Sequence, residues 1–274
     1  MIKNSLDIAK KVLDRGLERK ADREARVHGT SAEMSLVEHV IELRGHAFRA
    51  ALYFAGLTVV AMVFMDELLA FLREPFVTYQ KAAGRSPELV TTAVFEVIVI
   101  NFKVCMLVAF IASVPLIIWE IWKFVAPAMY PKEKRIAQPI VLASVVMFYL
   151  GVAFGFFVIV PAFLSNTLEW ASQYATVMLT VGNYYNSLAT MVFIFGIIFE
   201  VPVIMSLLGL AGLVTSDMIA KNRRVVIMLS AVIGAILSPP DVFSLIVTAV
   251  PMYAMVEISV IALRMIERNR AGQQ

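Results

Sequence analysis

Charge and cysteine are both scarce in this sequence, and each shortage narrows the class of protein. Charged residues make up 16% of the chain and hydrophobic residues 60%, against about a quarter and about half in soluble domains. This composition predicts a polytopic membrane protein. The single cysteine, Cys105, lies in an apolar segment, so no disulfide can form within the chain and cysteine usage does not indicate a compartment.

None of the three histidines lies inside a predicted span, apart from one at the very start of the first span. His28, His39 and His46 all precede or begin that span, which excludes an intramembrane Ser/His dyad and a histidine metal cluster. The sequence also lacks a G-x-x-x-x-G-K-[ST] phosphate loop and a membrane metalloprotease motif. These absences predict a protein that is not an enzyme and uses no metal or cofactor, which leaves a transporter, a channel or a membrane receptor for another polypeptide.

Long apolar runs predict an all-α protein with six transmembrane helices. The first four predicted spans cover residues 47–65, 95–122, 136–160 and 193–210, and two more form a hairpin around Ser238-Pro-Pro-Asp241. Residues 66–94 are predicted to form an ordered loop with a short helix at its start. The third span is predicted to end at Pro161, and residues 162–185 to form a loop without lysine or arginine.

Basic residues lie almost entirely on one side of these spans. Of the 24 lysines and arginines, 20 fall in the N-terminal region, the two loops after the second and fourth spans, and the tail. By the positive-inside rule both termini are cytoplasmic. The chain divides into a basic N-terminal extension (1–34), a six-span membrane domain (35–265) and a basic tail (266–274). The extension suits either an amphipathic surface helix or a solvated segment.

The fifth span is unusually short. It has 13 apolar residues, Val225 to Leu237, which reach only ~20 Å as a helix and fall short of a ~30 Å hydrocarbon core. The hairpin should therefore thin the bilayer locally. The same register brings Glu257 level with Arg223 and Arg224, so we expect Glu257 to pair with these bases near the interface.

Glu200 is the one acidic side chain predicted to lie deep among the spans. An acid there costs at least ~2.5 kcal/mol and usually faces a cavity or a partner. Pro202 has no N–H, so it leaves a main-chain carbonyl free one turn earlier in the helix. Two interpretations of Glu200 therefore remain open: a protonated side chain that bonds to this carbonyl, or a functional carboxylate. Glu96, Lys103 and Glu120 are interpreted as interfacial residues, with Lys103 reaching toward Glu96.

Four segments, taken together over about residues 35–265, resemble the TatC family. They are His39-Val-Ile-Glu-Leu-Arg44, Phe124-Val-Ala-Pro-Ala-Met-Tyr130 with Glu133-Lys-Arg135, Phe199-Glu-Val-Pro202, and Ser238-Pro-Pro-Asp-Val-Phe-Ser244 with Val250-Pro-Met-Tyr253. TatC is the polytopic receptor subunit of the twin-arginine, Sec-independent protein translocase. The resemblance implies export of folded proteins across the bacterial cytoplasmic membrane, driven by the proton motive force. It also implies partners: twin-arginine signal peptides, single-span TatA- and TatB-type proteins, membrane lipid and further copies of the chain, but no nucleic acid.

The resemblance also implies a set of site residues. Glu42 and Glu133 match acids of the cytoplasmic face, where carboxylates suit paired arginines; without the resemblance, Glu42 would be a solvated helix residue and Glu133 part of a loop ion pair. Arg44 and Arg135 would orient these acids, and Phe124 would shape the adjoining surface. Glu200 matches an intramembrane acid expected to contact a polar group in a partner's spanning helix. Pro75, Pro240 and Asp241 are expected to have structural roles on the outer side, and Pro202 is expected to have one within its helix. Asp241 also suits the N-cap position of a helix.

Two other functions remain open from the residues alone. A proton-coupled secondary transporter of a small solute would use Glu200 as its coupling site, although the two halves show no convincing inverted repeat. A purely structural assembly scaffold would make Glu42 and Glu133 dispensable.

Overall fold

The computed structural model describes residues 36–128, 131–174, 178–237 and 242–271. The predicted extension 1–34, together with Pro240 and Asp241, lies outside these ranges. The described residues fall into two compact units, divided between Phe48 and Arg49. Of the first unit, residues 36–48 are helical.

Within the described ranges the regular structure is helical, apart from an isolated bridge between Val90 and Thr180. The helices are α1 (Leu36–Val63), α2 (Met65–Ala82), α3 (Glu96–Val125), α4 (Pro131–Phe154), α5 (Val160–Ser172), α6 (Val181–Leu210), α7 (Ser216–Lys221), α8 (Arg223–Leu237) and α9 (Val242–Ala271). A 3-10 turn, Ala126–Ala128, follows α3, and a π-helical turn, Gly155–Ile159, joins α4 to α5. The all-α class is therefore confirmed.

Five stretches in the described part of the chain are long and apolar enough to cross a membrane. They are Ile41–Val63, Glu96–Val125, Ala137–Ser172, Val181–Leu210 and Leu245–Arg268. α8 has 15 residues, which agrees with the short fifth span expected from the sequence. The count of six spans and the cytoplasmic termini remain predictions.

The segment after the first span is more helical than predicted. α1 ends at Val63, and α2 runs for 18 residues from Met65, with Pro75 inside it. Asp66 and Glu67 lie in its first turn, where acidic side chains favour the positive end of the helix dipole. The predicted helix at the start of this segment is therefore present, but it is longer than expected and the loop after it is shorter, because Pro75 lies inside the helix instead of ending it.

Pro161 does not end the third span. The N–H of Val160 bonds to the carbonyl of Gly155, a π-type bond between residues five apart. Pro161 then occupies the second position of α5, where its missing N–H is tolerated. The helix continues to Ser172, and α6 begins at Val181, so residues 162–185 are mostly helix instead of loop.

Glycines line the close contact between α4 and α6. A Cβ atom added to Gly151 would lie 2.8 Å from the Cβ of Phe199, and one added to Gly155 would lie 3.1 Å from the Cα of Val192. Both separations are tighter than ordinary van der Waals contact. Small residues four positions apart allow two membrane helices to approach closely, and the sequence interpretation made no use of this Gly-x-x-x-Gly signal.

Tyrosine hydroxyl groups satisfy main-chain carbonyls near two of the prolines. Pro115 has no N–H for the carbonyl of Ile111, four residues earlier, and the Tyr149 hydroxyl on α4 donates to that oxygen at 3.2 Å. In α2, the residue that loses its donor to Pro75 is Phe71. Two other carbonyls of the same turn accept hydrogen bonds from α6: Leu72 from Tyr184 at 2.7 Å and Leu69 from Tyr185 at 3.0 Å.

Candidate functional site

The corner between α3 and α4 contains three of the predicted site residues. Phe124 lies half-buried in the last turn of α3, the 3-10 turn follows, and Pro131 begins α4. Glu133 is the third residue of α4, a position where an acidic residue favours the helix N-terminus; the placement of its side chain lies outside the description. Arg135, two residues further, is exposed.

This corner is packed against the ends of two other helices. Trp122, Ala126, Ala137 and Leu210 form a buried cluster. Partly buried residues around it include Leu207 of α6 and Ile266 of α9. The α3–α4 corner is therefore held by an apolar core at the end of the helices that base counting assigns to the cytoplasm.

Glu120 lies in the same region and is one of the least exposed side chains described, at 1%. It accepts a hydrogen bond from Arg49 Nε at 2.8 Å and pairs with Lys123 Nζ at 3.1 Å. The sequence interpretation placed Glu120 at the interface but did not foresee its burial or its pairing with Arg49. The sequence could have predicted the pairing with Lys123, because residues three apart on a helix are neighbours. It could not have predicted the pairing with Arg49, which is 71 residues away.

The other predicted recognition residues belong to the first unit. Glu42 is half-buried and Arg44 is exposed. Both lie on α1, and side chains two residues apart on a helix do not face each other. Arg44 is therefore on a different face of α1 from Glu42.

Glu200 hydrogen-bonds a serine of α4. The Ser144 hydroxyl donates to Glu200 Oε2 at 2.6 Å, whereas the second carboxyl oxygen, Oε1, is buried without a hydrogen-bond partner among the described residues. The alternative in which Glu200 bonds to the backbone freed by Pro202 is not what is observed. Ser144, a buried polar residue in an apolar span, was the signal that the sequence interpretation passed over. Pro202 itself is buried inside an unbroken α6.

Glu257 pairs with the basic cluster at the start of α8, as predicted. Arg223 Nη2 lies 2.9 Å from Glu257 Oε2, and the Tyr253 hydroxyl donates to the other carboxyl oxygen. The length-based register of the α8–α9 hairpin is therefore confirmed at this pair.

At the opposite end, Glu96 holds the segment before α3 against the start of α6. It accepts hydrogen bonds from the backbone N–H groups of Thr92 and Gly182, each at 2.7 Å. Lys103 does not pair with Glu96, contrary to expectation, but donates to Asn186 Oδ1 at 3.3 Å. Because main-chain donors already bond to Glu96, Lys103 bonds to a polar side chain on α6 instead.

Pro75, predicted to have a structural role on the outer side, lies half-buried within α2.

The family is decided by comparison with known proteins. The profile described as "Sec-independent protein translocase protein (TatC)" matches residues 38–251. The chain belongs to the TatC family. It is 32% identical over 228 residues to the TatC protein of Azotobacter chroococcum mcd 1, covering 83% of this chain and 88% of that protein. Against the TatC protein of Aquifex aeolicus (strain VF5), identity is 32% over 240 residues, covering 86% of this chain and 98% of that one.

A solved structure agrees with this membership of the TatC family. The crystal structure described as the twin arginine translocase receptor TatC superposes with a TM-score of 0.72 at 31% identity, covering 83% of this chain and 99% of that chain. The protein is accordingly a translocase component of the bacterial inner membrane, a transport receptor rather than an enzyme.

Proposed function

We propose that this TatC family member binds twin-arginine signal peptides at its cytoplasmic face, with Glu42 and Glu133 each contributing a carboxylate. Together with TatA- and TatB-type subunits and further copies of itself, it exports folded proteins using the proton motive force. The observation that supports the proposal most directly is the α3–α4 corner. Its buried cluster of Trp122, Ala126 and Ala137 gives Glu133 a fixed backbone position at the end of the spans.

Paired guanidinium groups are the chemistry that these acids suit. A carboxylate accepts two parallel N–H bonds from one arginine, whereas a lysine ammonium presents a compact point charge. A receptor built on carboxylates therefore favours arginine over lysine. Half-buried Phe124 lies nine residues before Glu133, on the α3 side of the corner, and would meet the apolar part of the peptide. Exposed Arg135 lies two residues after Glu133, on a different face of α4, and would flank the acid without bonding to it. Arg44 lies on a different face of α1 from Glu42, so it would add positive charge to the surface beside the acid without bonding to it.

The test is photo-crosslinking of a twin-arginine peptide to Glu42→Gln and Glu133→Gln proteins in membrane vesicles. Glutamine keeps the shape of glutamate but removes the charge, so each variant should lose the charge-assisted hydrogen bonds and bind about tenfold more weakly. Glu169→Gln is the matched control, because Glu169 is an exposed acid on α5 away from the corner. Undiminished crosslinking in both Glu42→Gln and Glu133→Gln would overturn the proposal.

A peptide with two lysines in place of the arginines separates specific recognition from general attraction. We expect it to bind the parent protein weakly and to lose little further affinity in the glutamine variants, because lysine cannot form the two parallel bonds. Equal losses for both peptides would indicate that the acids only attract positive charge.

We further propose that Glu200 is the point at which a polar group of a partner's spanning helix docks. Oε1 of Glu200 is buried without a partner in the described part of the chain, and such a group is costly in a membrane unless something bonds to it. A donor or acceptor from a neighbouring TatA- or TatB-type helix would satisfy it. Ser144 occupies only the other oxygen.

Two variants on facing helices test this docking role. Glu200→Ala should lower crosslinking to the partner helix and lower export of a folded reporter, because both carboxyl oxygens are lost. Ser144→Ala removes only the hydroxyl at Oε2 and should retain partner crosslinks. Full export and normal partner crosslinks in Glu200→Ala would leave the acid with a structural role alone.

A further inference from the structure

A cavity of about 580 Å³ opens between α3 and α4, next to the corner described above. Its lining is almost wholly apolar and consists of Pro115, Leu116, Ile118, Trp119 and Trp122 on α3, and Gln138, Pro139, Val141, Leu142 and Val145 on α4. Trp119 is 52% exposed and Leu142 is 70% exposed. The cavity is therefore open to the surroundings of the helices, which for these spans is the bilayer.

The two walls each carry a proline at this level. Pro115 in α3 and Pro139 in α4 lie inside their helices, and proline is the commonest cause of a helix kink. A gap between helices at such a level is therefore expected. The volume lies within the range of roughly 300–1,000 Å³ typical of small-molecule sites.

Cationic side chains surround the end of the cavity nearest the predicted cytoplasmic side. Lys123 Nζ lies 5.6 Å from the ring centroid of Trp119, which is part of the lining. Lys134 and Arg135 are exposed one helix turn before Gln138. Two acids belong to the same region: Glu120, which pairs with both Arg49 and Lys123, and Glu133 of the corner. The four bases Arg49, Lys123, Lys134 and Arg135 outnumber them, so the net charge of the region is positive and favours an anion.

The dimensions of the cavity distinguish between two apolar occupants. A peptide helix is about 10 Å across, so a cavity of about 580 Å³ that is open on one side would enclose only part of its width. An acyl chain is far narrower and can occupy the cavity along its length. Basic pockets between spanning helices on the cytoplasmic side are suited to anionic headgroups.

We propose that the α3–α4 cavity binds one acyl chain of an anionic phospholipid, with the lipid phosphate held at Lys134 and Lys123. Tryptophan provides a direct readout, because two of the three tryptophans in the chain, Trp119 and Trp122, line the cavity. Trp170 lies on α5, away from the cavity. A Trp170→Phe protein therefore reports fluorescence from the cavity alone.

The experiment reconstitutes full-length Trp170→Phe protein in phosphatidylcholine vesicles that contain increasing fractions of phosphatidylglycerol brominated on its acyl chains. Bromine quenches tryptophan only at short range. We expect quenching to half-saturate at a much lower fraction of the brominated phosphatidylglycerol than of brominated phosphatidylcholine. Equal half-saturation for the two lipids would overturn the proposal, because it would indicate ordinary annular contact.

Variants then separate the headgroup contact from the acyl-chain contact. Lys134→Gln should raise the half-saturating fraction of phosphatidylglycerol about fivefold, the contribution expected of one basic residue near an anionic surface. Leu142→Phe should reduce maximal quenching by filling the cavity. Leu150→Phe is the matched control, since Leu150 is also exposed on α4 but does not line the cavity, and it should leave quenching unchanged.

A competing peptide provides the final discrimination. A twin-arginine signal peptide added at saturating concentration should leave the quenching by brominated phosphatidylglycerol intact. Displacement of the lipid signal by the peptide, together with no effect of Lys134→Gln, would assign the cavity to the apolar part of the signal peptide and overturn the lipid site.

Discussion

At the scale of single residues, Glu120 is the clearest example of a buried acidic side chain in the described part of the chain. Its side chain is almost fully buried, and its two oxygens face Arg49 Nε and Lys123 Nζ. Arg49 itself is 46% exposed, so water screens part of this attraction. The acid ties the start of the second unit to the last turns of α3, close to the corner that carries Glu133.

We expect Glu120→Gln to lower the free energy of unfolding by about 1–3 kcal/mol, less than the loss from breaking a fully buried pair, because the cations left behind are partly solvated. The measurement is thermal unfolding of the purified protein in detergent. A double-mutant cycle with Arg49→Gln should give a total loss smaller than the sum of the single losses, since both changes remove the same interaction. Strict additivity would mean that the pair does not stabilise the fold.

Local spacing determined which residue contacts the sequence could predict. The Arg223–Glu257 pair followed from counting residues on either side of one hairpin. Arg49–Glu120 and Ser144–Glu200 join helices far apart in sequence, so their geometry depends on packing that no spacing rule supplies. The predicted pairing of Lys103 with Glu96 was wrong for another reason. The backbone N–H groups of Thr92 and Gly182 already bond to Glu96, and a backbone donor cannot be recognised from the residue type.

At the scale of helices, the contact between α4 and α6 depends on glycine, and two glycines of this chain should respond oppositely to the same substitution. Alanine is favoured over glycine in a helix by about 0.5–1 kcal/mol. At Gly56 nothing lies within 4 Å of an added Cβ, so Gly56→Ala should stabilise the protein. At Gly151 the added Cβ meets the backbone carbonyl of Phe195, which cannot move aside.

Gly151→Ala should therefore destabilise the protein by about 1–3 kcal/mol, the usual cost of overpacking a core. Comparing the midpoints of thermal unfolding for the two alanine variants with the parent protein tests this. Opposite signs support the glycine contact between α4 and α6. A gain in stability for both variants would show that the two helices separate readily at this level.

Helix ends were harder to predict than helix existence. Apolar length alone identified α3 close to its full extent, but of α6 it identified only residues 193–210, the second part of a helix that begins at Val181. Pro161 misled the sequence interpretation, because a proline inside a helical pattern usually ends it, and the π-helical turn at Gly155–Ile159 removes that conflict. Pro75 had the same effect on α2, which was expected to be a short helix but continues through the proline to Ala82.

At the scale of the whole molecule, helix lengths are strongly unequal. α3 and α6 each have 30 residues, whereas α8 has 15, or about 22 Å against about 45 Å at helical rise. A thin bilayer accommodates α8, while the longer helices can tilt or extend past the surface. The composition of the chain predicted a membrane protein, and the length of the apolar run Val225 to Leu237 predicted the short helix.

We expect the protein to be more stable in thin bilayers than in thick ones. Its unfolding temperature should be higher in dimyristoyl than in dierucoyl phosphatidylcholine vesicles, because hydrophobic mismatch costs a fraction of a kcal/mol per Å. A membrane protein whose spans are all of ordinary length serves as the control for direct lipid effects. Equal or higher stability in the thicker bilayer would contradict thinning at α8.

The tyrosine hydrogen bonds at the proline-containing turns restrict how this chain can move during transport. Proline-kinked membrane helices often serve as hinges, because the turn before the proline lacks a main-chain bond. Here Tyr149 occupies the carbonyl left free by Pro115, and Tyr184 and Tyr185 hold the turn before Pro75. Bending at either proline would first have to break one of these bonds. The structure therefore favours a receptor whose helices stay stiff at these two prolines.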